Sequence, residues 1–355
     1  MPSIVRPMND SDLQRVWLWR NSDRVRESSF NNNLISYEEH IYWWNNQQHD
    51  PQSEILIFEW NDFPVGVVSF KYDESFKHAT WSFYIGEPIE KGLGYKMARQ
   101  ALEYVFFNRE VESVTGLIIE LNKKSEQFHI DLGFLLEKEY QKDYERGGVK
   151  YDIREYRIDN WLVSSSYKSL SSQYGIEITP LKDTDVDKEY ISWYQNDDGH
   201  LNYFTGSRRA FTKATIVDDM ERGLSIQRWF YYLIKSDNGE KIGNFKVGLI
   251  DQVNFTSDLV CLIGNREFAG KGLAKKSIEI ANQIAFNNHG MRRLQGGMYE
   301  DHIASFKAYT RAGWFEETRM NGYYWVNGKP MDRICVACLN PKYFPNDVVE
   351  DSNEH

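Results

Sequence analysis

Residues 85–107 read IGEPIEKGLGYKMARQALEYVFF, and residues 263–287 read IGNREFAGKGLAKKSIEIANQIAFN. The two stretches share the triplet KGL, and its glycine recurs after an offset of 180 residues. The same offset relates residues 120–134 (ELNKKSEQFHIDLGF) to residues 300–314 (EDHIASFKAYTRAGW). Because one offset relates two separate pairs of stretches, the sequence indicates that the chain contains the same fold twice.

The repeat also sets the domain limits in a chain of 355 residues, a length that suits two domains. We expect a first domain over residues 1–161, a serine-rich linker over 162–174, a second domain over 175–345 and an acidic tail over 346–355. Residues 163–173 (VSSSYKSLSSQ) contain six serines and few residues that a core would bury, which is typical of a linker.

Each half alternates between two kinds of segment. Short apolar or alternating runs bounded by turn residues, such as residues 65–72, are typical of strands. After the glycine turn, Met97, Ala101, Leu102 and Val105 recur at helical spacing. Mixed strands and helices in this order predict an α/β fold, with a mixed central sheet flanked by helices in each half.

Charge and hydropathy exclude several classes of function. A net charge of −10 and a pI of about 5.4 argue against a broad nucleic-acid-binding surface, which needs a basic face. No apolar run reaches the length of a membrane span, and the first ten residues (MPSIVRPMND) lack the apolar core of a signal peptide. We therefore expect a cytoplasmic protein with reduced thiols and with neither nucleic-acid nor membrane partners.

The cysteines do not predict a metal site. Cys335 and Cys338 form a single CxxC, and the third cysteine is Cys261. A zinc site of this kind needs a second pair or histidines at ligand spacing, and neither lies nearby in the sequence. Residues 333–339 (RICVACL) are predicted as a strand, which puts the two thiols of the CxxC on opposite faces. We expect no bound metal.

A glycine-rich turn joins a strand to a long helix in each half, reading EKGLGY at residues 90–95 and GKGLA at residues 270–274. Glycines let backbone N–H groups approach a ligand, and the following helix offers unpaired N–H groups at the positive end of its dipole. These groups favour a pyrophosphate, although one such turn alone more often only connects two elements. Two copies at the same place in a repeat favour the binding site. The GxGxxG and GxxxxGK[ST] motifs are absent.

The turn resembles the acetyl-CoA signature of the GNAT superfamily of N-acetyltransferases, Q/R-x-x-G-x-G/A. Gly92 and Gly94 match it in the first half, and Gly272 and Ala274 match it in the second. An apolar residue replaces the leading Gln or Arg in both halves. A cradle made of backbone amides tolerates that loss.

A second GNAT signature, N-x-x-S-x-x-x-Y-x-x-x-G-F, follows in both halves. The matching residues are Asn122, Ser125, Gly133 and Phe134 in the first half and Ser305, Tyr309, Gly313 and Trp314 in the second. His129 stands at the Tyr position of the first half, and His302 stands at the Asn position of the second. The chain is thus identified as a member of the GNAT superfamily with two tandem domains.

The resemblance implies that acetyl-CoA, the acyl donor, lies between two splayed parallel strands. Its pantetheine arm pairs with the strand before the glycine turn, and its pyrophosphate lies on the turn. The residues that this assigns to the donor are Tyr84, Ile85, Lys91, Gly92, Leu93, Gly94, Tyr95, Asn122 and Ser125 in the first half and Leu262, Ile263, Gly270, Lys271, Gly272, Leu273, Ala274 and Ser305 in the second.

The resemblance also implies that a neutral amine attacks the thioester directly while the family's Tyr protonates the departing thiolate. Tyr309 holds that position in the second half. His129 holds it in the first half, and a histidine can also donate a proton. Glu120 and Glu300, a repeated pair at the end of a strand, are candidates for the base. Surface charge or salt-bridging is the other interpretation of this pair.

The first half resembles the UDP-4-amino-sugar N-acetyltransferases of the pseudaminic acid pathway. The resemblance rests on residues 19–21 (WRN), 37–43 (YEEHIYW) and 122–134 (NKKSEQFHIDLGF). It implies a nucleotide-sugar acceptor held by ion pairing with its pyrophosphate and by ring stacking. The residues assigned to this acceptor are Arg20, Asn21, His40 and Trp43.

The sequence leaves two other interpretations open. One is a protein N-terminal or antibiotic N-acetyltransferase, because the second half resembles the broader group that includes ribosomal-protein acetyltransferases. The other is that one half keeps only an acyl-CoA-binding or packing role. A monomer and a homodimer both fit the sequence, since a tandem pair can imitate the dimer that single domains often form.

Overall fold

The computed structural model describes residues 3–194 and 211–345, and the chain divides into two compact units, Met1–Asn160 and Trp161–His355. The predicted acidic tail lies outside the described residues. Each unit contains a mixed seven-stranded sheet with helices packed against it. The α/β architecture predicted for each half is confirmed.

In the first unit the strands are β1 (Ser3–Pro7), β2 (Ser53–Trp60), β3 (Phe63–Tyr72), β4 (His78–Ile85), β5 (Ser113–Ile119), β6 (Leu135–Arg146) and β7 (Val149–Asp159). The helices are α1 (Leu13–Asn21), α2 (Asp23–Ser28), α3 (Tyr37–Gln47), α4 (Leu93–Asn108) and α5 (Lys123–Leu132). The sheet order is β1-β2-β3-β4-β5-β7-β6. Its neighbouring strands are antiparallel except β4 and β5, which are parallel.

In the second unit the strands are β8 (Ile176–Pro180), β9 (Phe230–Ser236), β10 (Lys241–Val247), β11 (Thr256–Ile263), β12 (Arg293–Tyr299), β13 (Phe315–Val326) and β14 (Lys329–Leu339). The helices are α6 (Ser165–Tyr174), α7 (Lys188–Ser192), α8 (Lys213–Ser225), α9 (Leu273–Asn287) and α10 (Ile303–Arg311). The sheet order is β8-β9-β10-β11-β12-β14-β13, with β11 and β12 parallel. Both units therefore have the same strand order.

The helices α4 and α9 lie at the centre of the two cores. Met97, Ala101 and Val105 of α4 are completely buried, as are Ile280 and Ile284 of α9. These residues recur every three or four positions, so one face of each helix packs on its sheet. Burial of each large apolar side chain among them stabilises its unit by about 1.5–3 kcal/mol.

The serine-rich stretch differs from the linker that its composition predicts, because most of it forms α6. Ser164 caps this helix by accepting the backbone N–H of Tyr167, and Gly175, with φ of 65°, ends it. The buried hydroxyl of Tyr167 donates to the carbonyl of Ile178 and accepts the N–H of the same residue. A serine cap and one buried tyrosine thus anchor a stretch that is otherwise rich in small polar residues.

The parallel strand pair in each sheet ends early and leaves a gap. β4 is paired with β5 only as far as Trp81 opposite Gly116, whereas it stays paired with β3 as far as Ile85. In the second unit β11 leaves β12 after Asp258 and stays paired with β10 as far as Ile263. The last part of β4 and of β11 therefore has one backbone edge that faces no strand.

Candidate active site

The open edges of β4 and β11 direct particular backbone groups into the gap. In an antiparallel ladder, residues alternate between bonding the partner strand and pointing away from it. The N–H groups of Gly86 and Gly264 bond to the carbonyls of Val65 and Ile242, on the β3 and β10 side. The alternate residues therefore face the gap, and these are Phe83 and Ile85 in β4 and Leu259, Cys261 and Ile263 in β11.

This alternation divides the residues predicted to pair with the donor into those that face the gap and those that face the neighbouring strand. Ile85 and Ile263 present their backbone groups to the gap, whereas Tyr84 and Leu262 present theirs to the neighbouring strand. Phe83 and Cys261 begin the stretches to which the resemblance assigns the pantetheine arm, and their backbone groups also face the gap. A strand pattern shows which side chains share a face, but it does not show which backbone groups a partner strand already occupies.

One gap-facing group of the first unit already has a partner. Nη2 of Arg24 donates to the carbonyl of Ile85 at 2.5 Å and to that of Gly86 at 3.0 Å. Any ligand that pairs with the Ile85 carbonyl has to displace this guanidinium or share the carbonyl with it.

Both glycine turns form an uncrowded cradle at the start of a helix. Gly92 and Gly272 have φ values of 85° and 76°, a region that favours glycine. A Cβ at either position would meet no other described atom within 4 Å. α4 and α9 begin directly after these glycines without a side-chain cap, so the first N–H groups of each helix suit an anion such as pyrophosphate.

The other predicted donor residues surround these cradles in different ways. Leu93 and Leu273 are buried, so only their backbone groups can serve a ligand. The hydroxyl of Tyr95 donates to Asp131 at 2.6 Å, which ties α4 to α5. A Cβ on Gly94 would stand 3.4 Å from the ring of Phe128. The turns also expose Lys91, Gly270 and Lys271. Ala274 is half-buried.

Asn122 acts as a helix cap. Its side-chain oxygen accepts the backbone N–H of Ser125 at 3.1 Å and thereby fixes the start of α5. His302, at the equivalent position of the second unit, makes no such side-chain cap, and Ser305 is half-buried near the start of α10. The asparagine of the second signature thus shapes the helix, and its contact with the donor stays a prediction.

Tyr309 reaches the gap of the second unit from α10. Its hydroxyl donates to the gap-facing carbonyl of Leu259 at 2.9 Å and lies beside the backbone of Cys261. The hydroxyl therefore stands where β11 and β12 part. Burial raises the pKa of Tyr309 well above its usual range, so the hydroxyl stays protonated. A protonated hydroxyl thus lies at the tyrosine position of the signature, and its role as the acid stays a prediction.

His129 occupies the equivalent place in the first unit, but its gap-facing nitrogen accepts a hydrogen bond where the hydroxyl of Tyr309 donates one. Nδ1 lies 2.7 Å from the carbonyl of Ser125, which can only accept, so Nδ1 carries the proton. Nε2 accepts the indole N–H of Trp81 at 3.1 Å. Burial lowers the pKa of His129, which favours the neutral ring. Nε2 therefore has no proton to give, which differs from the acid role that the resemblance implies.

The repeated glutamates are placed alike but bonded differently. Glu120 and Glu300 directly follow β5 and β12, and their backbone N–H groups donate to the carbonyls of Asp152 and Asp332. The carboxylate of Glu300 also accepts the N–H of Asp332 at 3.1 Å, which ties β12 to β14. The carboxylate of Glu120 makes no hydrogen bond or ion pair with any described residue. Of the two, Glu120 has the carboxylate that is open to a ligand.

Arg20 and His40 lie near each other in the first unit, beside Tyr84. Arg20 donates to the carbonyl of Asn31 at 2.6 Å, while its buried Nη1 has no partner. His40 is 3% exposed, and its Nε2 also has no partner. Burial lowers the pKa of His40, and the positive charge of Arg20 lowers it further. Buried nitrogens without partners are rare in folded proteins and indicate a place for a ligand or a water.

The side chain of Tyr84 puts this pair on the face of the sheet opposite His129. Trp81 and Phe83 contact His129, so the alternation along β4 directs Tyr84 to the opposite face of the sheet. The charge of Arg20 acts on the hydroxyl of Tyr84, whose pKa burial raises. Tyr84 therefore belongs to this polar cluster, a role that sequence reasoning missed.

The remaining two predicted acceptor residues support the cluster. The amide of Asn21 donates to the carbonyl of Ile35 at 2.8 Å and accepts its N–H at 2.9 Å, which fixes the segment before α3. The ring of Trp43 stacks on His40 with centroids 5.0 Å apart and packs against the apolar cluster behind it. Asn21 thus positions the segment before α3, and Trp43 positions the ring of His40. Nη1 of Arg20 and Nε2 of His40 remain without a partner.

A strand gap followed by a glycine cradle, present twice, agrees with a known family. The model of the acetyltransferase (GNAT) domain matches residues 3–135 and again residues 176–314. The chain belongs to the GNAT acetyltransferases. It is an N-acetyltransferase with two GNAT domains, as the repeat and its two signatures predicted.

Individual relatives of this GNAT protein are distant. It is similar to acetyltransferase PseH from Campylobacter jejuni, with 20% identity over 118 residues, which are 33% of this chain and 73% of PseH. It is similar to spermidine N-acetyltransferase from Vibrio cholerae in complex with CoA and spermine (18% identity, TM-score 0.41, 44% of this chain and 95% of that one). It is also similar to an N-acetyltransferase from Staphylococcus aureus Mu50 (16% identity, TM-score 0.40, 45% and 99%).

None of the helices in residues 3–194 and 211–345 combines the length and the apolar character needed to cross a membrane. In the same part of the chain, no three His, Cys, Asp or Glu side chains gather in a way that could hold a metal ion.

We predict that the neutral state of His129 makes the first unit lose stability in acid. The unfolded chain binds a proton at this histidine below a pH of about 6.5, whereas the folded unit does so only at lower pH. Between about pH 6.5 and the folded pKa, the wild type should lose up to about 1.4 kcal/mol per pH unit more than His129→Phe. Urea unfolding at about pH 7.5 and about pH 5.5 measures this difference.

His49→Phe is the matched control, because His49 is exposed just after α3. This variant should follow the wild type at both pH values. If His129→Phe and the wild type lost the same free energy of unfolding in acid, His129 would not be held neutral.

Proposed function

We propose that this chain is a cytoplasmic, acetyl-CoA-dependent enzyme whose first unit acetylates a nucleotide-linked amino sugar for surface-glycan biosynthesis. The observation that carries the proposal is the pair of buried, unpartnered nitrogens on Arg20 and His40, beside Tyr84 at the strand gap. A guanidinium matches the oxygens of a pyrophosphate, which every nucleotide-linked sugar of this kind contains. The resemblance of the first half to UDP-4-amino-sugar N-acetyltransferases supports the same acceptor.

The acyl donor fits the gap of each unit. The gap-facing N–H and C=O groups of Phe83 and Ile85, and of Cys261 and Ile263, suit the amides of a pantetheine arm. The helix starts at the two glycine cradles suit the pyrophosphate of CoA. In each unit the strand edge for the pantetheine arm comes first along the chain, and the glycine cradle for the pyrophosphate follows it.

In the second unit we assign the proton donor to Tyr309. The neutral amine attacks the thioester carbonyl carbon, so that the C–N bond forms and the C–S bond breaks. The sulfur leaves with the bonding electron pair and takes the hydroxyl proton of Tyr309. The proton that the nitrogen loses passes to water, and water returns one to the tyrosinate. The raised pKa of Tyr309 keeps its proton in place until the thiolate forms.

The first unit releases its thiolate without an acid at His129, because Nε2 already accepts the indole N–H of Trp81. A thiol has a pKa of about 8.5, so a thiolate can leave unassisted near neutral pH. General acid catalysis contributes about 10²- to 10⁴-fold where it operates. We therefore expect the first unit to turn over more slowly than the second, with the open carboxylate of Glu120 as its candidate base.

Tyr309→Phe removes the hydroxyl and keeps the ring that packs on Trp314. We predict that kcat of the second unit falls by about 10²-fold or more, while the affinity for acetyl-CoA changes little. CoA release is measured with a panel of amines in an Arg20→Met background, which weakens the first unit. Tyr174→Phe, on α6, is the matched control. An unchanged kcat in Tyr309→Phe would remove this residue from the chemistry.

Arg20→Met tests the acceptor. With a UDP-4-amino-dideoxy sugar, we predict that kcat/KM falls by about 10- to 100-fold, because a charged hydrogen bond contributes about 1.5–3 kcal/mol. Arg15→Met, on the exposed side of the same helix, should match the wild type. No CoA release on the sugar, together with release on spermidine or on a peptide amino terminus, would replace the proposed acceptor.

A further inference from the structure

The second unit has its own unpaired arginine, Arg333 on β14. Its guanidinium makes no hydrogen bond or ion pair with any described residue, and its Nε is shielded from solvent. The chain contains 52 acidic residues against 42 Lys and Arg, so a shortage of carboxylates does not explain this isolation. A shielded donor without a partner indicates that something outside the described chain meets it.

Gly297 brings this guanidinium to the gap. β11 and β12 part after Asp258 and Gln295, so Gly297, two residues further along β12, borders the opening. A Cβ on Gly297 would stand 2.0 Å from Nε of Arg333. The guanidinium therefore lies directly against the strand backbone, in space that a larger residue would fill.

Arg333 lies on the face of the sheet opposite Tyr309. A Cβ on Gly296 would point toward Trp314 at 3.7 Å, and Trp314 packs on Tyr309. Because side chains alternate along β12, Gly297 faces the other side together with the guanidinium. An acceptor amine that approaches the gap from that side has Tyr309 across the opening and Arg333 next to it.

Three tyrosines complete this surface. Cζ of Arg333 lies 5.1 Å from the ring centre of Tyr323, and the rings of Tyr299 and Tyr324 stack 3.9 Å apart. Tyr323 lies in a bulge of β13. Gly322 permits this bulge, because its φ is 63° and its N–H donates to the carboxylate of Asp332 at 2.8 Å. Three aromatic rings therefore lie beside a guanidinium that has no ion-pair partner among the described residues.

The first unit has no counterpart of this surface. The positions 180 residues before Arg333, Gly297 and Tyr323 hold Ile153, Leu117 and Asp143. In the first unit, Arg20, whose Nη1 has no partner, lies on α1 instead. The two units thus differ in where their acceptor side carries positive charge.

We propose that Arg333 binds the oxyanion, a carboxylate or a phosphate, of an amine acceptor that belongs to the second unit alone. The edge of a guanidinium offers two parallel N–H donors to such a group, and Tyr323 keeps the plane of the guanidinium oriented. The proposal rests on the proposed function only in taking the ligand to be an acceptor. The binding site itself stands on the geometry of Arg333, Gly297 and the tyrosines.

The direct test follows the Nε–Hε resonance of Arg333 by NMR in the full-length protein. The resonance is assigned by its absence from Arg333→Lys, and inorganic phosphate and acetate are titrated separately at constant ionic strength. We expect a saturable shift, and the anion that binds more tightly identifies the group as a phosphate or a carboxylate. This readout needs no acetyl transfer, so failure of the proposed function leaves its result interpretable.

The variants make the test specific. The affinity for the anion that binds more tightly is measured by calorimetry. It should be at least about tenfold weaker in Arg333→Lys, which keeps the charge but loses the paired N–H donors of the guanidinium. Arg333→Met should not bind the anion. Arg293→Met, on the neighbouring strand β12 and paired with Glu317, should bind like the wild type. If the resonance did not move with either anion, or if Arg293→Met lost as much affinity as Arg333→Met, the proposal would be overturned.

Discussion

Both units depend on one feature of the backbone, the early end of a parallel strand pair. In a sheet the N–H and C=O groups of a strand need partners on both sides. β4 and β11 lose their partner on one side after Trp81 and after Asp258. The strand edge, the glycine turn and the following helix then succeed one another along the chain, so the gap and the anion cradle have to be neighbours. The proposed donor site follows from this ending.

The two copies fill the end of the gap with different chemistry. In the second unit the hydroxyl of Tyr309 bonds directly to the carbonyl of Leu259 and keeps a transferable proton. In the first unit an imidazole bonds to the indole of Trp81, and the proton that His129 carries is turned away toward its own helix. The two units share one fold, but only in the second does the residue at the tyrosine position of the signature direct a proton at the gap. We propose that the two units turn over at different rates for this reason.

The repeat, the fold class, the glycine cradles and the place of Tyr309 were predictable from the sequence, because each rests on local spacing. The helix α6 was not, since one capping serine and the buried Tyr167 outweigh the polar composition of the stretch. The tautomer of His129 was out of reach as well, because its partner Trp81 is 48 residues away in sequence.

The acceptor side shows the same limit. Arg20 and His40 were predicted from a motif, but the place of Tyr84 beside them depends on the alternation of side chains along β4. Arg333 was not found at all, because its place against Gly297 of another strand and its lack of an ion-pair partner among the described residues depend on the fold. Contacts of this kind arise from sheet register, which sequence spacing does not encode.

Titration calorimetry of the full chain with CoA tests most directly whether both gaps hold the acyl donor. Two sites per chain are predicted, and the weaker one belongs to the first unit, because Arg24 there has to release the carbonyl of Ile85. Arg24→Met should bring the two affinities closer together. A single site per chain, or two sites whose affinities do not respond to Arg24→Met, would contradict this description of the gap.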